Sequence, residues 1–218
     1  MILGLAYKAR AGKDLAAAYL VKHYGFLRLA FADPLKEAAR CIYGFTDEQL
    51  YGQLKEVADP FWGETPRVIL QKMGTECMRK GHRNDIWIAA AQRKLLGEPD
   101  RNWVISDCRF PNEARMIHSL GGKVVRIDAT FAGKQIIQAQ THESETAMNT
   151  YTDWDHILLN DSTKEAYYKR IDEMLDSTHW IESRGYVGSP ETDIFGNPSD
   201  KLLKKMSAGY VDGKWKVE

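Results

Sequence analysis

The chain alternates short apolar runs with longer stretches of helical periodicity. Met1–Ala6 is an uninterrupted apolar run, short enough for a buried strand. Lys13–Tyr24 places Leu15, Ala18, Tyr19 and Lys22 at helical spacings, and Gly25 supplies a C-terminal stop. Phe26–Phe31 predicts a second strand. Asp33-Pro34 opens the next helix, with Asp as N-cap and Pro at the first helical position, running to about Tyr43. Gly44–Glu64 is irregular. Thr65-Pro66 signals a helix to about Lys80, and Asn84–Leu96 predicts another. The pattern then gives strand Trp103–Ser106, helix Pro111–Leu120, strand Lys123–Ile127, a polar irregular stretch 128–151, strand His156–Leu159 and helix Thr163–Leu175. Strands and helices in alternation predict an α/β domain, a mainly parallel sheet flanked by helices, over residues 1–180. Beyond Trp180 periodicity is lost and Gly, Pro, Ser and Asp crowd Gly185–Asp200, so 181–218 reads as a C-terminal extension.

Ligands of parallel sheets collect at the carboxyl ends of the strands, which directs attention to the residues after Ala6, Phe31, Ser106, Ile127 and Leu159. After Ala6 stands Tyr7-Lys8-Ala9-Arg10-Ala11-Gly12-Lys13-Asp14. The phosphate-loop pattern is G-x-x-x-x-G-K-[ST] between a strand and a helix. Gly12-Lys13 and the context match; Tyr7 replaces the first Gly and Asp14 the hydroxyl residue. The physics of the pattern survives both changes. A strand feeding a helix aims free N–H groups and a positive dipole end at an anion, Gly12 admits close approach, and Lys13 reaches outer phosphates. Lys8 and Arg10 add charge: residues 1–44 hold seven Lys/Arg against three Asp/Glu. The plainer alternative is a helix start with Asp14 complementing the dipole. Val104-Ile105-Ser106-Asp107 is a second apolar strand ending in an acid, followed by Arg109; an acid there holds a metal or its water shell, and an Arg clamps phosphate bidentately.

Composition narrows the classes. The chain has 218 residues, 44% of them hydrophobic and 28% charged, with 30 Lys+Arg against 30 Asp+Glu. A neutral chain argues against stable nucleic-acid binding, which needs a broad basic surface. No apolar run approaches the roughly 20 residues of a membrane span, and the amino terminus lacks a signal-peptide core. Three cysteines without a C-x-x-C pair, read as buried thiols, fit a reducing cytoplasm.

The combination AYKARAGKD and VISDCRFPNEA, with FADPLKEA at 31–38, LQKMGTE at 70–76, DIW at 85–87, HESET at 142–146 and LLNDST at 158–163, resembles the bacteriophage deoxynucleoside monophosphate kinases. The resemblance covers roughly residues 1–176. It implies a P-loop NTPase fold with a helical acceptor-binding insert at 32–100 and a lid at 128–151. It implies ATP and Mg²⁺ as cofactors, a deoxynucleoside monophosphate as substrate and a host-cytoplasmic location; with the extension it makes a homodimer plausible. Lys13, Asp107 and Arg109 are then the expected catalytic residues. ATP is expected on Lys8, Ala9, Arg10, Ala11, Gly12, Lys13, Asp14, Arg126 and Asn160, and Mg²⁺ on Asp14 and Asp107. The acceptor is expected on Phe31, Lys36, Arg67, Gly74, Thr75, Glu76, Trp87, Arg109 and Asn112. Simple core packing is an equal alternative for Phe31 and Trp87. Arg79, Lys80, His82 and Arg83 read as a solvated helix end, and Glu143 and Glu145 as lid organisers or helix caps. Alternative readings are a P-loop kinase of another phosphorylated metabolite and a nucleotide-binding ATPase.

Overall fold

The computed structural model describes residues 1–8, 10–129 and 142–180, and the backbone of 210–211 and 214–215. Ala9, the centre of the expected lid (130–141) and most of the extension lie outside the described residues.

Five strands form one parallel sheet: β1 (Ile2–Ala6), β2 (Leu27–Leu29), β3 (Trp103–Cys108), β4 (Lys123–Ala129) and β5 (His156–Asn160), in the order β2-β3-β1-β4-β5. Central strand β1 pairs with β3 on one side and β4 on the other, so the chain's path reverses at β1. That reversal opens a crevice at the carboxyl ends of β1 and β3. Helices α1 (Lys13–Tyr24) and α8 (Lys164–Thr178) cover one face, burying Leu3, Leu5, Leu20, Ile127, Tyr167 and Ile171. The other face carries α2 (Asp33–Tyr43), α4 (Pro66–Gln71), α5 (Ile86–Gly97) and α6 (Pro111–Ser119), packed around Leu29, Leu35, Leu70, Trp87, Ile105 and Ile117. Both faces of the strands are therefore apolar, the pattern that a doubly covered parallel sheet requires. Short strands β6 (Tyr210–Val211) and β7 (Lys214–Trp215) pair antiparallel.

Several local expectations are corrected. The stretch 44–64 contains two helical turns, α3 (Asp47–Leu50) and a 3-10 turn, Gln53–Glu56. Thr46 and Gln49 make a reciprocal capping box that starts the first of them. The N-cap of α2 is Ala32, not Asp33: the Asp33 carboxylate instead accepts the Ala30 N–H at 3.0 Å and meets Arg28 at 3.3 Å. The helix begun at Pro66 passes at Lys72 into a π-helical segment, Lys72–Lys80. Among its described residues, the irregular stretch 128–151 contains the end of β4, one short helix, α7 (Glu143–Thr146), and the turn that follows it. Only Cys108 is buried; Cys41 and Cys77 are exposed, at the surface of helical segments.

Candidate active site

The loop between β1 and α1 has the backbone of an anion cradle. Gly12 caps α1 with φ 104°, and Arg10 and Tyr7 also hold positive φ, 60° and 89°. For Gly12 this conformation is free. For Tyr7 it costs about 1–3 kcal/mol, sustained only because the surroundings dictate it. The Tyr7 ring is held from two sides: the Arg126 guanidinium lies 4.1 Å from its centroid and Trp154 meets it edge-on at 6.2 Å. The underside of the loop is fixed by Asn160, whose buried amide donates to the Ala11 carbonyl at 3.0 Å. A Cβ at Gly12 would stand 2.4 Å from that same amide, so only glycine fits there. Asn160 thus supports the loop from behind. Arg126 pairs with Asp128 at 2.7 Å, Lys8 donates to Asn149, and Arg10 is exposed.

Lys13 is 6% exposed, and its ammonium donates to the carbonyls of Tyr7 (3.3 Å) and Lys8. Burial, then the positive charge of Arg109, lower its pKa to about 8; Asp14, Glu145 and Asp107 act the other way. The loop lysine and the residues of β3 therefore share one electrostatic field.

Beside the loop, between β3, α2, α4 and the π-helical segment, lies an open cleft. Of the residues expected around an acceptor, Phe31, Lys36, Arg67, Gly74, Thr75, Trp87 and Arg109 line it, as does Asp107. Glu76 and Asn112 do not. Glu76 is exposed and faces Lys80 (3.0 Å) and His142 (3.4 Å); Asn112 sits in the first turn of α6 outside the cleft lining. Gly74 is needed for close packing: a Cβ would stand 2.6 Å from Leu35, and its carbonyl accepts the Trp87 indole N–H at 3.0 Å. Phe31 and Trp87 belong to the core while bordering the cleft.

The cleft holds charged residues that the sequence reading passed over. Arg79 is buried, correcting its reading as solvated; Lys80, His82 and Arg83 are exposed as expected. Arg79 donates to Glu113, and its guanidinium lies 3.9 Å from the Phe110 ring centroid. Glu113 also accepts the backbone N–H groups of Arg109 (2.7 Å) and Phe110 (3.1 Å), so it fixes the turn that presents Arg109. Burial pushes its carboxyl up to about 7, while Arg79 and the two amides hold it down. Its place three residues after Phe110, at the start of a helix, is the spacing of a capping glutamate and was a visible signal. Glu145 of α7 accepts from Arg109 and lies 3.6 Å from Arg67, so one carboxylate orders two guanidiniums. Lys55 of the 3-10 turn completes the lining. His142 caps α7 through its imidazole, accepting the Ser144 N–H at 3.2 Å, and Glu143 meets Lys80 at 3.1 Å.

Two carboxylates are expected at Mg²⁺. Asp14 is exposed in the first turn of α1. Asp107 accepts the N–H groups of Phe31 (2.7 Å) and Ala32 (3.0 Å), tying the end of β3 to the start of α2 with lone pairs to spare. No cluster of three or more metal-ligating side chains occurs among the described residues. This donor set fits Mg²⁺, which takes one or two carboxylates and keeps several waters beside phosphate oxygens.

No family model matches the chain. A protein of Acanthamoeba polyphaga mimivirus, "Putative deoxynucleotide monophosphate kinase", is 34% identical over 194 residues, 81% of this chain and 97% of that one. Among solved structures, shikimate kinase from Aquifex aeolicus superposes with a TM-score of 0.46 at 13% identity, over 82% of this chain and 98% of that one. Dephospho-CoA kinase from Campylobacter jejuni gives 0.44 at 10%, over 81% and 96%. No helix among the described residues is long and apolar enough to cross a membrane.

Proposed function

This chain belongs to the kinase family of its mimivirus relative, and on that premise we propose that it transfers the γ-phosphoryl group of ATP to the phosphate of a deoxynucleoside monophosphate. The observation that carries the proposal is the junction of loop and cleft. Lys13 follows β1, Arg109 follows β3, and Arg109 is the charge that most lowers the lysine's proton affinity. A phosphate-binding loop and an arginine-lined pocket sharing one field are what an in-line transfer between two phosphates needs.

The roles follow from position. The amides of the loop and the Lys13 ammonium hold the ATP phosphates. Arg109 and Arg67, ordered by Glu145, face the phosphate of the acceptor, with Lys36 behind them. Phe31 and Trp87 form the apolar wall against which a base lies, and the close approach at Gly74 gives that wall its shape. The nucleophile is an already ionised phosphate oxygen, so no general base is required. The residues instead neutralise charge that spreads over the transferring group. Asp14, with the free lone pairs of Asp107, would hold Mg²⁺. When bound, the ion draws charge from the β- and γ-phosphates.

The test is ADP release with Mg-ATP, offering dAMP, dGMP, dCMP, dTMP, their ribose counterparts and a no-acceptor control. Acceptor-dependent release favouring deoxyribose supports the reading. Release in every well would indicate an ATPase, and silence with every nucleotide would move the acceptor to another phosphorylated metabolite.

A further inference from the structure

The cleft carries more positive charge than its own carboxylates balance. Lys36, Lys55, Arg67, Arg79 and Arg109 line it, against Asp107, Glu113 and Glu145. The excess of two matches a phosphomonoester, which carries about −1.5 to −2 at neutral pH. The excess is unevenly placed. Arg79 is paired with Glu113, Arg109 with Glu145, and Arg67 with Glu56 (2.6 Å) as well as Glu145. Lys36 has the Tyr51 ring at 3.9 Å and the attractive carboxylates of Asp107 and Asp33. Lys55 has nothing comparable. Among the described residues its side chain makes no hydrogen bond or ion pair. The strongest charges acting on it are three cations, Lys36, Arg67 and Arg109; the leading carboxylate, Glu56, is taken by Arg67. Burial and that repulsion together lower its pKa to about 8.

The position is built. The 3-10 turn bearing Lys55 is anchored at both ends: the Gln53 N–H donates to Glu48 at 2.7 Å, and Glu56 is clasped by Arg67 of α4. An ammonium held against three like charges gains most when an anion arrives among them, because the anion offsets all three repulsions at once.

We infer that Lys55 also binds the acceptor's phosphate and adds to the cleft's selection of a phosphomonoester over the uncharged nucleoside. This rests on the reading above that the cleft, and not the loop, receives the acceptor. Lys55 needs no role at ATP, since Lys13 and the loop amides serve the triphosphate.

Calorimetry on the full chain tests this with wild type, Lys55→Gln and Lys55→Arg. Each is titrated with the four deoxynucleoside monophosphates, the matching nucleosides, and ATP alone. A charge-assisted contact removed from the site weakens monophosphate binding by about 10- to 100-fold, leaves nucleoside and ATP affinity within about twofold, and is largely restored by Lys55→Arg. Because the charge sits among like charges, Lys55→Gln melts at or above the wild-type temperature, which separates loss of binding from loss of fold. Equal losses for monophosphate and nucleoside, a loss confined to ATP, or unchanged monophosphate affinity would each overturn the inference. Should wild type bind no deoxynucleoside monophosphate, the functional reading fails. Lys55 is then judged with inorganic phosphate, whose binding Lys55→Gln must still weaken.

Discussion

Replacing Lys13 with methionine should make the protein more stable and far less active. The lysine is 6% exposed and its pKa is about 8, against an ordinary value of 10.5. Keeping it charged in that setting costs about 3 kcal/mol near pH 7, at 1.36 kcal/mol per tenfold change in proton affinity. The sign follows from proton counting. Between about pH 8 and 10.5 the unfolded chain binds more protons than the native one, so stability rises with pH across that window. The full cost is present below about 8. Methionine removes the charge and keeps an unbranched apolar stem, but forfeits the bonds to the Tyr7 and Lys8 carbonyls, worth about 2 kcal/mol together. The net expectation is a gain of about 1 kcal/mol near pH 7. Urea unfolding of both proteins at about pH 7 and about pH 9.5 isolates the effect, because other titrating groups cancel in the comparison. The stability of the variant relative to wild type should fall by about 2 kcal/mol over that interval. Phosphoryl transfer should fall by about 10²- to 10³-fold, the scale of a lost donor at a developing charge. A variant less stable than wild type near pH 7, or a gap that ignores pH, would refute the account of Lys13 as a buried cation kept at a cost for function.

Two further changes probe the supports of the site. Asn160→Ala removes the buried bond to the Ala11 carbonyl; it should cost about 1–2 kcal/mol and raise the KM for ATP several-fold. The acceptor KM should hold, and an equal rise in both would contradict a role confined to the loop. Glu113→Gln leaves the Arg79 guanidinium buried without its counter-charge. Near pH 8 it should destabilise by about 3 kcal/mol, measured by denaturant titration, and a loss below about 1 kcal/mol would mean that the pair contributes little.

Much of the fold was legible because long periodic segments report their own partners. The apolar run before Gly12-Lys13 and the stop at Gly25 place strand, loop and helix within a residue or two, although the buried face of α1 is Ala16, Ala17 and Leu20 and not the spacing Leu15, Ala18, Tyr19 and Lys22. The elements missed are too short to show a period: α3 and the 3-10 turn span four residues each, and only the Thr46–Gln49 capping pair announces the first. The charged side chains of the cleft were harder to read. Arg79 sits in a run of basic residues that resembles a solvated helix end; its partner Glu113 lies 34 positions away, and nothing local links them. Gly74, Thr75 and Glu76 are consecutive, yet the first two face the cleft and the third faces outward. The passage from α-helix to π-helix at Lys72 changes which positions share a face, so helical spacing alone cannot sort them. Lys55 was invisible for a simpler reason: in a polar, irregular stretch an unpaired lysine looks like every other surface lysine.

Tyr7 occupies a backbone conformation that a phosphate loop ordinarily entrusts to glycine, yet the loop keeps its shape because Arg126, Trp154 and Asn160 grip it from outside. Its curvature is thus inherited from its seat, in part, instead of from its own residues. A loop of this kind can drift away from the glycine-rich consensus while its donors still converge on one point. Searches that demand the consensus will then pass over working phosphate sites. Grafting the eight residues alone into another scaffold would transplant the letters without the mould.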